Sequence, residues 1–545
     1  MLKRDNFLQF NGSKPIYQIF VRSFFDSNND GIGDINGVTS KLTYLASLGV
    51  SVIDLSPIFE TNNKDFGLDV VNYRNINKEY GTIEDLKKLV IESSKHGIKI
   101  ILDLPLDQTS NEHFCFLASK NVSSPYHNFY CWEKGRLNNA LPPNNWKNSY
   151  KESVWSFDKE VGAYYLHLNN SLNPTLNYSS LEVRREMNDI LSYYLDLGIA
   201  GFRFLGVSNL FLFEQYSLKK KRKDLFSLVN TINVLEASFG ETIKKRKPLL
   251  LIAIDDIALL DDLNSYHLDS DFIFQVNVCS FDKKPGTSIR KTFSIKDLKK
   301  RIIALNKKPF PVSLSFENYL GLRSLSFFKS NEKTYLYLER MLPILLTSLI
   351  AYPSIYQGEE IGLMNYEYLG YENWRDPLAF ALFRKLRKFS LSQSRALKKV
   401  ATNSRDNVRA TLPWNKNLNF GFSKAKSPWI ILNPLYEKLD IASENADPNS
   451  LLNFYKSIIA FRKSNEEIHL GSFEVLVTQK DVLAFFRAYK GRLYFVLINL
   501  SNRTLLLEKN IREMRGEVLL SNYLGAGLTY KSKLRPYEAL IALLS

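Results

Sequence analysis

A run of aspartate and asparagine residues near the start of the chain has the spacing of a metal-binding loop. The candidate ligands alternate with other residues, two of them glycines: Asp26, Asn28, Asp30, the main-chain carbonyl of Ile32, and Asp34. Carboxylate, amide and carbonyl oxygens are the ligands that a hard cation such as Ca²⁺ prefers. The twelfth position is Gly37, where an EF-hand needs a bidentate glutamate, so the expected Ca²⁺ site is of another kind.

The elements that would position functional residues alternate between strand and helix. Apolar runs with the pattern of buried strands lie at 15–20, 50–55, 98–104, 201–204, 249–254 and 311–316, with a helix-and-strand segment at 341–356. Helical patterns lie at 38–48, 83–96, 181–197 and 450–462. Continuous apolar strands joined by helices indicate right-handed βαβ units around a parallel sheet.

Two stretches break this alternation. Residues 105–175 are rich in aromatic side chains and asparagine, which indicates an insertion after the third strand. Beyond Gly471 the chain alternates apolar and polar residues, which is typical of antiparallel strands. The sequence therefore predicts a (β/α)8 barrel from 1–104 and 176–465, an insertion subdomain at 105–175, and a C-terminal β-sandwich at 466–545.

Short motifs along almost the whole chain resemble glycoside hydrolase family 13. They are Ile16–Phe24, Asp26–Asp34, Asp65–Asp69, Tyr80–Thr82, Pro142–Trp146, Gly201–Arg203, Gln357–Gly362, Asn433–Pro434 and Asp447–Lys456, in family order. The resemblance is to the α-glucosidase, maltase and oligo-1,6-glucosidase branch. That branch also includes the non-catalytic heavy-chain ectodomains of animal amino-acid transporters. The resemblance implies a TIM barrel whose metal loop binds calcium structurally.

The resemblance also implies where the catalytic carboxylates should stand, and this sequence departs from the pattern there. The positions of the nucleophile, the acid/base and the third carboxylate hold Leu205, Ile254 and Leu320. A shift of one residue would place Asp255 at the acid position instead of Ile254. Three further family positions are changed, since two histidines are replaced by Gln108 and Tyr319 and a stacking tyrosine by Leu68.

Part of the sugar pocket persists. Asp65, Arg203 and Arg409 match family positions that hold the non-reducing glucose. Arg203 has lost its neighbouring aspartate, and a buried unpaired guanidinium is costly. It therefore needs another carboxylate, with Asp65 the first candidate, or an anion. Leu68, Leu205, Ile254 and Leu320 are expected to form one apolar plug.

From the missing carboxylates we expect a catalytically inactive pseudoenzyme that serves as a structural or protein-binding subunit of a larger assembly. One alternative is a carbohydrate-binding remnant without catalysis. The other is an α-glucosidase with relocated carboxylates, such as Asp107, Asp255 or Glu317.

The charge and composition of the chain limit which kinds of partner we expect. The chain carries a net charge of +16, with basic runs at 219–223, 244–247 and 299–301. Such runs attract anionic partners but usually form solvated surfaces, and no nucleic-acid motif accompanies them. No signal peptide or membrane-spanning segment is expected, and three cysteines without zinc spacing favour an intracellular location.

Overall fold

The computed structural model describes residues 12–148, 152–210, 227–254, 257–264, 266, 271–279, 293–328, 330–366, 370–528 and 531–545. The strands are β1 (Ile16–Ile19), β2 (Val52–Leu55), β3 (Phe59–Thr61), β4 (Val70–Ile76), β5 (Lys99–Pro105), β6 (Trp132–Glu133), β7 (Trp155–Asp158), β8 (Ala163–Leu166), β9 (Gly201–Leu205), β10 (Leu249–Ile254), β11 (Phe272–Asn277), β12 (Val312–Ser315), β13 (Tyr352–Tyr356), β14 (Glu474–Val475), β15 (Val482–Tyr489), β16 (Arg492–Asn499), β17 (Leu505–Leu506), β18 (Gly516–Ser521), β19 (Lys533–Leu534) and β20 (Ala539–Leu544).

The helices are α1 (Ile35–Ser40), α2 (Leu42–Leu48), α3 (Ile83–Lys95), α4 (Phe114–Ser119), α5 (Leu181–Asp196), α6 (Leu228–Arg246), α7 (Ile295–Asn306), α8 (Glu332–Ser348), α9 (Pro377–Lys388), α10 (Gln393–Ala401), α11 (Asp406–Arg409), α12 (Ile441–Ala446), α13 (Leu451–Ser464), α14 (Glu466–Leu470) and α15 (Lys509–Arg512).

Eight parallel strands close into a barrel, which confirms the predicted fold class. Around the barrel they run in the order β1, β13, β12, β11, β10, β9, β5 and β2. Every residue of β9 and β11 is buried, so these strands carry no alternation of apolar and polar residues. This is expected of parallel strands that are covered on both faces.

Local sequence signals account for where the surrounding helices begin. α3 follows a capping box, in which the Thr82 side chain accepts from the Asp85 amide and the Asp85 side chain accepts from the Thr82 amide. The Ser180 hydroxyl caps α5 in the same way, by accepting from the Val183 amide. Each cap satisfies an amide that would otherwise lack a partner at the helix end.

Two smaller β units flank the barrel. Between β5 and α5, strands β6, β8 and β7 form a small antiparallel sheet over a cluster that includes Trp146 and Trp155. After α14, strands β14, β15, β16, β20 and β18 form a five-stranded antiparallel sheet, and β17 pairs with β19. A C-terminal β domain thus follows the barrel, as the sequence predicts.

Among the described residues, no helix combines the length and the apolar character that crossing a bilayer requires.

A buried arginine joins the last barrel helix to the core. Arg462 lies on α13 and donates to the carbonyls of Thr347, Leu349 and Ala351 at distances of 2.5, 2.7 and 3.0 Å. Its Nε donates to the carbonyl of Gly12 at 3.0 Å. Burial lowers the pKa of Arg462 to about 9. The side chain therefore satisfies carbonyls at the end of α8 and at the entry to β13.

We expect Arg462→Met to lower the free energy of unfolding by about 3 kcal/mol, because several buried carbonyls lose a charged donor. The measurement is urea unfolding followed by circular dichroism. Arg384→Met is the matched control, since Arg384 is exposed on α9, and it should stay within about 0.5 kcal/mol of the wild type. Equal stability of the two variants would contradict the role given to Arg462.

Candidate active site

A buried ion pair occupies the centre of the barrel mouth. Arg203, on β9, places its Nη1 at 2.8 Å from both carboxylate oxygens of Asp103, on β5. Asp54, on β2, lies 3.5 Å from the same nitrogen. Arg203 is 2% exposed and both carboxylates are 0% exposed. Residues from three barrel strands thus form one charge cluster that solvent does not reach.

Two polar side chains complete this cluster. The Tyr319 hydroxyl donates to Asp103 at 2.5 Å, and the Gln18 amide donates to Asp54 at 2.8 Å. Burial, and then the neighbouring Asp103, hold the pKa of Asp54 well above its usual range. Burial would lower the pKa of Arg203, but Asp103 and Asp54 together raise it. Tyr319, which stands where the family pattern has a histidine, therefore gives Asp103 a buried hydroxyl donor.

The expectation that Asp65 pairs with Arg203 is wrong. The carboxylate of Asp65 accepts from Arg405 Nη2 at 2.8 Å, and Arg405 also binds Asp376 at 2.6 Å. Burial raises the pKa of Asp65, and the two nearby arginines, Arg405 and Arg409, oppose that rise. Arg203 is satisfied instead by Asp103, which stands on the adjacent barrel strand and so needs no reach across the mouth.

Arg409 links the two groups of charges. Its Nη2 lies 3.9 Å from Asp65, and its Nε donates to the Tyr319 carbonyl at 3.3 Å. The guanidinium carbon sits 5.5 Å from the ring centres of Phe20 and of Phe66. Its Nη1 is buried and has no hydrogen-bond partner among the described residues. Asp65 and Arg409 therefore lie together, while Arg203 belongs to the cluster with Asp103 and Asp54.

The apolar residues at the family's catalytic positions lie at the expected strand ends. Leu205 ends β9 and Ile254 ends β10, and they are 5% and 6% exposed. Ile254 belongs to the main core, whereas Leu320 packs on a separate cluster that contains Phe20 and Phe66. Ile254 and Leu320 therefore pack in different apolar clusters, so the predicted plug does not contain both of them.

Gln108 has a structural partner in this loop region. Its amide donates to the Leu68 carbonyl at 3.1 Å, and its oxygen accepts from Asn169 at 2.8 Å. Asn173 also donates to the Leu68 carbonyl, at 3.1 Å. Leu68 is half-buried. The insertion is thus joined by amide side chains to the loop that carries Leu68.

A carboxylate that the family pattern does not require stands beside Leu205. Asp107 follows the end of β5, is 5% exposed, and accepts from Asn209 at 2.6 Å and from Asn169 at 3.4 Å. Its neighbour Gly206 has a φ of +72°, and a Cβ there would lie 2.2 Å from Asp107 Oδ1. Only glycine leaves room for this carboxylate and adopts that backbone conformation without strain.

The other carboxylates named from the sequence are placed differently. Glu317 accepts from Arg323 at 2.9 Å and from the amide and hydroxyl of Ser324 at 2.7 and 2.8 Å. Both of its oxygens therefore have structural partners. Asp255 lies outside the described residues.

The metal loop is organised by its own side chains. Asp26 accepts from the amides of Asn29 and Gly31 at 2.7 and 2.8 Å. Asp34 accepts from the amides of Ser27 and Gly37 at 2.8 and 2.6 Å, and its contact with Gly37 caps α1.

The remaining candidate ligands lie on the outer side of the loop. Asp30 is exposed and accepts from Asn28 at 3.1 Å and from the amide of Ile32 at 2.8 Å. In the described part of the chain, no three carboxylate, histidine or cysteine side chains are grouped closely enough to hold a metal ion. The oxygen donors fit Ca²⁺ chemically, and calcium binding stays a prediction.

Sequence reasoning missed most of the polar partners in the mouth. Asp103 and Asp54 stand within strands whose neighbours are apolar, and a charge inside such a run is the available signal for a buried partner. Arg405 lies four residues before Arg409 and is directly followed by an aspartate. Nothing in this local sequence indicates that Arg405 contacts Asp376.

Known proteins match this chain over almost its whole length. The family model described as "Alpha amylase, catalytic domain" matches residues 18–471. The oligo-1,6-glucosidase of Parageobacillus thermoglucosidasius is 33% identical over 96% of this chain and 97% of its own length. The glucan 1,6-alpha-glucosidase of Streptococcus pneumoniae serotype 4 is 30% identical, with 96% and 97% covered. The crystal structure of the trehalose-6-phosphate hydrolase of Bacillus licheniformis superimposes with a TM-score of 0.88 at 26% identity, with 98% and 99% covered.

These relatives overturn the expectation of a non-enzymatic pseudoenzyme that acts as a structural or protein-binding subunit. They match almost from end to end and are named for glucosidase and hydrolase activities, not as transporter subunits. The expectation failed for a physical reason. It considered the family positions one at a time, although a barrel mouth gathers side chains from eight strands. Leu205, Ile254 and Leu320 do not determine whether a neighbouring strand supplies a carboxylate.

The buried charge cluster gives a pH-dependent prediction. A carboxyl whose pKa is higher in the folded protein stabilises the fold fully below its unfolded pKa, about 4, and loses that contribution as pH rises through the folded pKa. Asp54 is such a group. We therefore expect Asp54→Asn to gain stability relative to the wild type as pH rises above the unfolded pKa of about 4. Urea unfolding at a series of pH values measures this difference.

Asp103→Asn is the contrasting variant, because it breaks the contact with Arg203 and leaves a buried guanidinium poorly paired. It should lower the free energy of unfolding by about 3–5 kcal/mol at neutral pH. Asp196→Asn, at an exposed position, is the control for replacing an aspartate by asparagine. Two results would refute the role given to the cluster. One is a stability difference between Asp54→Asn and the wild type that does not change with pH, and the other is an Asp103→Asn variant as stable as the wild type.

Proposed function

Because this chain belongs to the alpha-amylase catalytic-domain family, we propose that it is an α-glucosidase that hydrolyses α-1,6-linked glucosides. The observation that carries the proposal is the end-to-end similarity to the oligo-1,6-glucosidase of Parageobacillus thermoglucosidasius. The shared barrel and the Asp65–Arg409 contact support it, because they keep the charged groups of a glucose pocket at the mouth.

The carboxylates of the reaction are then not those of the family pattern. Hydrolysis with retention needs one carboxylate that attacks the anomeric carbon and a second that protonates the leaving oxygen. Asp107 is the candidate nucleophile, since it lies beside Leu205 and Gly206 leaves room for it. The candidate acid is Asp255, which directly follows the last residue of β10 in the sequence.

Asn209 and Asn169 support this role for Asp107. Their amides donate to one carboxylate oxygen, Oδ2, while Oδ1 is the oxygen that faces Gly206. Donors of this kind orient a carboxylate by holding one of its oxygens in place. We do not assign Glu317 as a catalytic carboxylate, because Arg323 and Ser324 donate to both of its oxygens.

The proposal predicts turnover of isomaltose and of an aryl α-glucoside by the purified protein. Asp107→Asn should reduce kcat by about 10²–10⁴-fold, because loss of a nucleophile or of a proton-transfer group costs this much. Gly206→Ala should also reduce kcat, because its Cβ displaces the Asp107 carboxylate. Asp196→Asn is the exposed control and should leave kcat unchanged. Chromogenic and glucose-release assays measure kcat for the two substrates.

Two results would contradict the proposal. If calorimetry detects glucoside binding but no turnover occurs, the chain is a carbohydrate-binding protein without catalysis. If turnover persists in Asp107→Asn, the nucleophile has been misassigned, and Asp255→Asn then tests the other carboxylate. Thermal melts of each variant exclude unfolding as the cause.

We also propose that the loop from Asp26 to Asp34 binds one Ca²⁺. Asp26 and Asp34 are 2% and 3% exposed. Burial raises the pKa of Asp34, and the charge of Asp26 adds a smaller contribution in the same direction. Within the described ranges, no lysine or arginine forms an ion pair with either carboxylate. Two close, buried carboxylates without a cation favour a bound metal.

Excess Ca²⁺ should therefore raise the melting temperature relative to a chelator, because a ligand at 100 times its Kd stabilises the native state by about 2.7 kcal/mol. Asp30→Asn should weaken the response, since Asp30 is exposed and its removal spares the fold. Differential scanning calorimetry measures the shift. Identical melting temperatures in calcium and in chelator would rule the site out.

A further inference from the structure

The helical hairpin formed by α9 and α10 is strongly basic. We define the basic hairpin as α9, the turn at 389–392, and α10. Its residues 377–401 contain seven basic side chains and no acidic one: Arg384, Lys385, Arg387, Lys388, Arg395, Lys398 and Lys399. The whole chain carries +16, so these 25 residues hold a large share of the excess charge.

The charges lie on one side because the other side is packed. Leu382, Phe383 and Leu386 on α9 pack with Ala396 and Val400 on α10 in a separate apolar cluster. The basic side chains are left on the outward surface, where Arg384, Arg387, Lys388, Arg395 and Lys398 are exposed.

Four of these seven cations lack ionic partners in the part of the chain that the structure describes. Among the described residues, no carboxylate lies within ion-pair distance of Arg384, Lys388, Arg395 or Lys398. A basic surface that its own chain does not neutralise is available to an anionic partner.

An aromatic side chain stands at the tip of the basic hairpin. Phe389 is 61% exposed and follows directly on Lys388. Ser390 has a φ of +61°, and Arg387 Nη1 donates to the Leu391 carbonyl at 2.6 Å across the turn. The turn is thus held in a shape that presents an apolar ring directly after the positive charges in the last turn of α9.

We propose that the basic hairpin docks on an anionic lipid bilayer, with Phe389 inserted at the boundary between headgroups and acyl chains. Clusters of four to eight lysines and arginines on an amphipathic helix bind anionic lipid headgroups. Exposed aromatic rings partition to the same interface. Nucleic acid would also attract the charge, but its recognition relies on polar side chains that read bases or on several stacking rings. A single apolar tip favours the bilayer.

Sedimentation with vesicles tests this docking. The intact protein should bind vesicles that contain phosphatidylglycerol, should not bind pure phosphatidylcholine, and should be released at about 1 M salt, where the Debye length is about 3 Å. The triple variant Lys388→Gln, Arg395→Gln, Lys398→Gln should weaken binding about 100-fold. Phe389→Ser should weaken binding about 10-fold and leave the salt dependence unchanged.

Two matched controls separate the basic hairpin from total charge and total hydrophobicity. Lys244→Gln, Lys245→Gln, Lys247→Gln removes the same charge from another exposed run, and Leu524→Ser removes an apolar side chain that is 99% exposed. Both should bind vesicles like the wild type.

Three outcomes would overturn the proposal. The first is no binding to anionic vesicles. The second is equal losses in the hairpin and control variants. The third is tighter binding of duplex or single-stranded nucleic acid that the hairpin triple variant abolishes.

Discussion

The contact between Arg203 and Asp103 is the interaction around which the barrel mouth is arranged. A guanidinium that is 2% exposed needs protein partners for its charge and its donors, and Asp103 provides a carboxylate from the adjacent strand. Two further residues complete the pair. Asp54, on β2, adds a second carboxylate near Arg203, and Tyr319, in the segment after β12, donates a hydrogen bond to Asp103. Because the Tyr319 carbonyl also accepts from Arg409, the buried cluster is joined to the charged residues nearer the surface.

The departures from the family pattern are accompanied by new local partners. Tyr319 stands where the family has histidine and donates to Asp103. Gln108 stands at another histidine position and bonds with Asn169 and the Leu68 carbonyl. Asp107, a carboxylate that the family pattern does not require, accepts from Asn209 and Asn169, and Gly206 beside it has no side chain to exclude it. Altered residues that satisfy one another are consistent with a site that keeps a defined, rigid arrangement.

The sequence was sufficient for the architecture because motifs and buried strands follow one another in family order. It placed Leu205 and Ile254 at strand ends, where the structure has them. It did not identify β11, since a short apolar run cannot be distinguished from part of a helix by periodicity alone. It also misjudged the partner of Arg203, because neighbours around a closed barrel are far apart in the chain.

The inference about activity failed for a related reason. The chemistry of a barrel mouth depends on how side chains from different strands converge, and one-dimensional spacing contains little of that information. The nearness of Asp107 to Leu205, for example, follows from the parallel pairing of β5 with β9. The same pairing sets Gly206 so close to Asp107 that a Cβ at position 206 would lie 2.2 Å from the carboxylate oxygen.

The two ends of the basic hairpin are fastened to each other at its base. Asp376, just before α9, accepts from both the amide and the Nε of Arg405, just after α10, at 2.9 Å. A segment whose ends are clamped in this way can change in length without moving the residues outside the clamp. The turn at 389–392 is consequently a position where a fluorescent label, an affinity tag or a small inserted domain should be accepted, while Asp65 and the barrel mouth keep their geometry.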